Sequence, residues 1–495
     1  MPQDYNGSKP GLDFEPQRPQ LYKLPTVDYH IPRFPNPEDS ASATECGAHP
    51  ALGDTSQPSP WESEKKDASV LEAQSPIHQD EVTYPEGGLA GWLVCFGSFS
   101  AMLACFGLMN TIGTFQAYLS EHQLKHMSES TIGWIFSVYV FLSFFCGIQI
   151  GPIFDAKGPK VLIASGGIML SASMLLLGLC TQYYQFMLCF GILGGIGTSL
   201  LFTPAVSAIG HFFLLKRGYA TGIAAAGGSV GGVIFPLMLQ RLFPRVGFAW
   251  STRIMGFIFI LLCVTAQLLI RSRLPPKPGQ SVSMDLRIFR DRSFAFATAG
   301  VFFMEWGLFV PITYLTTFAL ASGAIDPTFA YQLIAIFNAG SSLGRAVPGY
   351  LADKLGRFNS MVAMLGLCTA TTMTLWLPAA ILEPETPAAR ATIKGLAVAY
   401  AVLFGFASGS NISLTPVCVG QLCETSQYGR YYATCYTVVS FGTLTGIPIA
   451  GAILQATAGR YWGVVVWTGL CYTASFGMFI AARGCQVGWK LGVKY

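Results

Sequence analysis

The sequence predicts an all-α integral membrane protein. Twelve membrane-spanning helices, six on each side of a polar linker, follow a disordered tail. Three observations carry this reading. Of 495 residues, 52% are hydrophobic and only 11% charged, with a mean hydropathy of +0.47; a soluble chain is about one quarter charged. Apolar runs near the ~20 residues that a bilayer needs recur along the chain. Finally, one short loop is written twice. Gly151-Pro-Ile-Phe-Asp155-Ala-Lys157-Gly158-Pro-Lys160 returns as Gly349-Tyr-Leu-Ala-Asp353-Lys354-Leu-Gly356-Arg357-Phe358, and each copy joins two apolar runs. A Gly–Asp–basic–Gly–basic loop at matching places in two hydrophobic halves points to a duplicated membrane carrier.

Residues 1–84 come first. They are rich in proline and carry 14 acidic against six basic side chains, about −8 in all. Such a segment cannot bury a core, which predicts a disordered acidic tail. It contains no apolar stretch of signal-peptide type. The rest of the chain holds 24 basic and 12 acidic residues, about +12. These basic residues are spread over many short loops, which argues against nucleic acid and for loops facing anionic lipid.

The first six spans are expected near 89–112, 131–151, 161–180, 184–208, 218–243 and 250–270. The second six are expected near 294–320, 329–350, 359–380, 392–416, 433–454 and 462–483. Lipid offers the backbone no hydrogen-bond partner, so each should be a helix. Residues 271–293, with six basic side chains from Arg271 to Arg292, divide the chain into 85–270 and 294–483, and 484–495 form a short C-terminal tail. With the N-terminus inside, the inner loops gather Lys157, Lys160, Lys216, Arg217, Lys354, Arg357 and Arg430. The positive-inside rule therefore places both termini and both copies of the repeated loop in the cytoplasm, with the plasma membrane as the default location.

Thirteen cysteines lie mostly within the apolar runs, with no C-x-x-C pair. They read as small core hydrophobes, not as a disulfide framework or a metal site. No metal and no cofactor is expected. Stretches such as Gly222-Ile-Ala-Ala-Ala-Gly227-Gly228-Ser229-Val-Gly231-Gly232 let helices approach closely. Some of these glycines are also candidates for the surfaces where the halves rock or the cargo passes.

The doubled loop and the six-plus-six layout resemble the major facilitator superfamily over residues 85–485. Two finer features are similar to its monocarboxylate porter family, in particular the fungal branch. One is Pro85-Glu86-Gly87-Gly88-Leu-Ala-Gly91-Trp92, leading into the first span. The other is Phe212-Phe213-Leu-Leu-Lys216-Arg217-Gly218-Tyr-Ala220-Thr-Gly222-Ile-Ala-Ala-Ala-Gly227 at the fifth. The resemblance implies two six-helix bundles around a central cavity, with cargo near the midplane and access that alternates between the two sides. It also implies a small organic anion as cargo, often moved with a proton.

Glu305 alone among the acids lies well inside an apolar run, roughly 16 Å from its inner end at 1.5 Å per residue. A charge there is costly and seeks a cavity or a partner, so Glu305 is the candidate proton carrier. The competing reading is a protonated side chain bonded to a neighbouring helix. Arg345 lies roughly 9 Å deep in the eighth span. The resemblance implies that it binds the cargo carboxylate, for which a planar guanidinium is suited; snorkelling to headgroups is its alternative. Two departures stand out. Ser341 occupies the place of an acid found in animal members four residues before that arginine, and Asn110 the place of a first-span lysine. The usual proton-and-anion relay is therefore incomplete. Tyr314, Asn338 and Asn411 are further polar groups within spans, suited to line a cavity or to bond between helices. Asp155 with Lys157, and Asp353 with Arg357, are candidate gating latches between adjacent helices.

The sequence thus predicts a secondary transporter of a small organic acid or carboxylate-bearing metabolite, with the proton and the lipid bilayer as further partners. A larger, exported fungal metabolite is the alternative, followed by a transporter-like sensor signalling through the tail. An enzyme is not expected: no H-E-x-x-H, Walker A or G-x-S-x-G arrangement falls on a suitable element. Oligomeric state is not encoded in any feature of the chain.

Overall fold

A computed structural model describes residues 84–273, 286–489 and 493–495. The expected tail, most of the linker and Lys490 lie outside the described residues. The fold is all-helical and multi-span. Among the described residues, ten helices are long and apolar enough to cross a membrane, from Gly88–Glu121 to Trp462–Val487. Two further features bear on the count. The 53-residue helix Arg217–Leu269 contains a break at Gly247, whose φ of 76° and ψ of 172° are not helical. The 29-residue helix Pro327–Leu355 falls outside the ten; Asn338, Ser341, Ser342 and Arg345 dilute its apolar run.

Local sequence sets the helix boundaries. Ser128, Asp291 and Thr386 accept backbone N–H groups at the starts of Glu129–Phe145, Arg292–Ala321 and Pro387–Val419. These caps satisfy donors that the helix itself leaves free. The second glycine of the repeated loop stops a helix in both copies. Gly158 has φ 80° and Gly356 has φ 106°, a region that side chains with a Cβ rarely adopt.

For the packing, α1 is Gly88–Met109, α2 Ile112–Glu121, α3 Glu129–Phe145, α4 Gly147–Lys157 and α5 Lys160–Leu177. Next come α6 Tyr183–Phe186, α7 Gly195–Ile209, α8 Arg217–Leu269, α9 Arg292–Ala321 and α10 Pro327–Leu355. The last are α11 Arg357–Thr371, α12 Leu377–Ile381, α13 Pro387–Val419, α14 Tyr428–Ala456 and α15 Trp462–Val487. Helix α1 packs along α8, α10 along α13, and α9 along α14 and α15. Contacts between the early and late parts of the sequence run mainly through α8 against α10 and α14 against α3 and α4. Gly222 shows how tightly these helices meet, since a Cβ there would sit 2.4 Å from the Arg345 carbonyl oxygen.

Candidate functional site

A cavity opens between α1, α9, α10 and α13. Its wall is mostly apolar, with Phe106, Met109, Leu308, Phe309, Ile312, Phe337 and Ile412. The polar groups are Asn110, Asn338, Ser341, Ser408 and Arg345. Four of the six expected cargo residues therefore share one cavity. Tyr314 and Asn411 lie elsewhere. The Tyr314 hydroxyl donates to the Ile447 carbonyl at 3.4 Å. The Asn411 amide donates to the Tyr472 hydroxyl at 3.1 Å, and its own oxygen is buried without a partner.

One face of α8 holds the polar wall in place. Arg345 Nη1 donates to the Ala225 carbonyl at 2.6 Å. Asn110 donates to the Gly228 carbonyl at 3.3 Å, and Asn338 to that of Gly232 at 3.4 Å. The Ser229 hydroxyl donates to Ser341 at 3.0 Å. Positions 225, 228, 229 and 232 follow the three-and-four spacing of a single helix face. The glycines are needed for this arrangement. A Cβ at Gly228 would stand 2.6 Å from Arg345 Nη1, and one at Gly232 2.8 Å from both asparagine side chains. The glycine-rich stretch is thus a cradle for the polar wall.

Arg345 and Glu305 are both buried, at 4% and 1% exposure, and close enough for their charges to interact. Arg345 Nε and Glu305 Oε1 nevertheless have no hydrogen-bond partner. Arg345 also lies over the Phe106 ring, 5.8 Å from its centroid. A guanidinium fixed by one carbonyl and left with free donors beside a cavity is suited to receive an anionic group.

The repeated loop forms two matching contacts between the early and late parts of the chain. Asp155 accepts the backbone N–H groups of Gly429 and Arg430 at 3.1 and 2.8 Å, at the start of α14. Asp353 accepts those of Gly218 and Tyr219 at 2.9 and 2.8 Å, at the start of α8. Each acid therefore caps the positive end of a helix from the other part of the chain, not the neighbouring helix of its own loop. The expected basic partners take different roles. Lys157 is exposed, whereas Arg357 donates to the Leu214 carbonyl.

Three contributors were given no structural role in the sequence. Arg217, only 1% exposed, reaches the carbonyls of Gly210 and Gly420 at 3.0 and 3.1 Å and lies over the Tyr428 ring. Glu86 accepts the N–H groups of Leu214, Leu215 and Lys216 at 2.7–3.0 Å. Trp92 packs on Phe213 and Tyr219. The motif around Glu86 and the motif from Phe212 thus dock on each other. A cluster of five aromatic rings next to the cavity is the third.

Residues 94–389 match the Major Facilitator Superfamily. The riboflavin transporter of Saccharomyces cerevisiae is 36% identical over 471 residues, covering 90% of this chain and 86% of that protein. The aspyridones efflux protein of Emericella nidulans is 37% identical over 396 residues, covering 80% and 77%. Among solved structures, a Major Facilitator Superfamily transporter in its outward conformation aligns with a TM-score of 0.61. That alignment has 16% identity and covers 80% of this chain and 98% of the other.

Proposed function

The chain belongs to the Major Facilitator Superfamily, and we propose that it exports a bulky, carboxylate-bearing fungal metabolite by alternating access. This is a transport family, so the chain is a carrier and not an enzyme. The observation that carries the cargo reading is the cavity itself. Its mostly apolar wall around one buried arginine suits an amphiphile with a sizeable apolar body better than a two- or three-carbon acid. The small organic acid expected first therefore takes second place. The names of relatives that efflux aspyridones or carry riboflavin support the larger cargo.

In this reading the chain has twelve spans in two bundles, residues 85–270 and 294–483. The ten apolar helices, the division of one at Gly247 and the addition of Pro327–Leu355 support that count. Both termini and the repeated loops face the cytoplasm. The glycine cradle holds Asn110, Asn338, Ser341 and Arg345 against the cargo, and Arg345 takes its carboxylate. Glu305, beside Arg345, carries the proton. Asp155 and Asp353 close the cytoplasmic side while the cavity faces outward, with Arg357 and Arg217 as supporting contacts. The docked Glu86 and Phe212 motifs support placement in the fungal branch of the monocarboxylate porters.

Flux in proteoliposomes tests the proposal, using labelled lactate and pyruvate beside larger aromatic and polyketide acids, each with and without a proton gradient. Movement of the larger acids alone is expected. Gradient-stimulated uptake confined to the small acids would overturn the cargo assignment.

A further inference from the structure

Five aromatic rings separate the cavity from the end of the molecule that carries the repeated loops. Phe106 lines the cavity and contacts Phe202 and Phe144, with ring centroids 5.0 and 6.4 Å apart. Those two meet Tyr432 and Tyr436 of α14 at 5.1–5.8 Å. The two tyrosine rings lie 4.9 Å apart. The phenylalanines belong to the early part of the chain and the tyrosines to the late part, so the cluster is a contact that must part if the two move against each other. Tyr428, one turn before Tyr432, lies at the helix start next to the Asp155 cap, under Arg217.

A static plug would need only phenylalanine here. A hydroxyl in a dry aromatic cluster is costly unless it is bonded, and native buried polar groups are nearly always satisfied. The Tyr432 and Tyr436 rings are 1% and 2% exposed, yet neither hydroxyl completes a hydrogen bond. Thr415 approaches Tyr436, as Tyr436 approaches Tyr432, without closing one. On the cavity side Glu305 also keeps an oxygen free. Tyr428 contrasts with the other two, because its hydroxyl donates to the Pro416 carbonyl at 2.9 Å. Among these three tyrosines of α14, the unmet hydroxyls belong to the two whose rings meet the phenylalanines.

We propose that Tyr432 and Tyr436 form a second cargo station on the loop side of the cavity, which binds a flat aromatic cargo by stacking and by donating to its acceptor groups. The station is shut while the five rings are closed and opens when the Asp155 and Asp353 caps release. This rests on the reading of the chain as a carrier of aromatic acids.

Full-length protein carrying Tyr436→Cys is placed in proteoliposomes. It is treated from the loop side with an impermeant maleimide, and labelling at that position is read by peptide mass spectrometry. Cys435 is an internal control, since it is buried on the same helix beside Thr298 of its own part of the chain. Adding Asp155→Ala and Asp353→Ala should raise labelling at position 436 by about tenfold, the population change that lost caps produce. Cys435 should stay unlabelled. With 2-naphthoate as the probe, labelling at position 436 should slow again, as should labelling of a Ser341→Cys variant in the cavity. Unchanged labelling on cap removal would mean a static core and overturn the proposal. Protection at 341 but not at 436 would overturn the second station and leave the carrier reading standing. Protection at neither position would remove the cargo class and the station together. If Tyr436→Cys does not fold, Tyr432→Cys gives the same readout one turn away.

Discussion

Asp155 accepts the backbone N–H of Arg430 at 2.8 Å across 275 positions of sequence. Asp353 repeats the arrangement on Tyr219 at the same distance. A carboxylate at a helix start satisfies free donors and meets the positive end of the helix dipole, together about 1 kcal/mol. The two caps act on one interface, so each variant, Asp155→Ala or Asp353→Ala, should raise the population opened at the loop end several-fold. The double variant should raise it further. Amide hydrogen exchange at residues 217–220 and 428–431 measures this directly. Equal protection in the double variant and the unmodified chain would show that the caps do not hold the interface.

The same loops contribute a glycine contact. A Cβ on Gly349 would lie 2.4 Å from the Gly218 carbonyl oxygen, and one on Gly151 would lie 2.3 Å from that of Gly429. Backbone cannot yield there as a flexible side-chain end would. Gly349→Ala should therefore loosen the interface more than Asp353→Ala does, because it forces separation where the other only removes a bond. Thermal unfolding in detergent together with hydrogen exchange ranks the two. A Gly349→Ala protein as closed as the unmodified chain contradicts the packing argument.

His211 supplies a pH dependence outside the spans. Burial, with the Arg217 charge nearby, pushes its pKa down to about 4. It packs on Phe154 and lies 3.1 Å from the Ser272 hydroxyl. The folded chain holds His211 neutral, whereas the unfolded chain protonates it below its ordinary value near 6.5. Stability from this residue is complete above that value and is lost as pH falls from about 6.5 toward 4, on the order of a few kcal/mol at the acid end. His211→Gln should flatten the melting temperature over that interval. An identical acid slope in both proteins would assign it to other groups.

Much of this was legible in the sequence, for reasons particular residues make clear. The apolar runs gave the helices because lipid leaves the backbone no other solution. Arg345, Asn110, Asn338 and Ser341 were legible as polar interruptions of apolar runs, and the fold brings them to one cavity. The partners of Asp155 and Asp353 were not legible, since they are backbone groups far away in sequence, and the nearby Lys157 and Arg357 drew the pairing instead. Arg217 looked like an ordinary loop cation. Only the fold shows it turned inward to the Gly420 carbonyl. Tyr432 and Tyr436 drew no reading because a sequence does not show whether a hydroxyl finds a partner.

The arginine–glutamate pair gives the most direct test of transport chemistry. Arg345 is fixed by the Ala225 carbonyl through Nη1 and keeps Nε free. Lysine at this place retains charge but loses the planar fork, so Arg345→Lys should weaken an anionic cargo by about tenfold or more. A neutral analogue of the same shape should be little affected. Glu305→Gln preserves shape and removes the exchangeable proton. It should abolish flux driven by a pH gradient and leave cargo-for-cargo exchange intact, because exchange needs no net proton movement. Measured side by side in proteoliposomes, the two variants separate binding from coupling. Unchanged pH dependence in Glu305→Gln would remove Glu305 as proton carrier, and native affinity in Arg345→Lys would remove Arg345 from the cargo site.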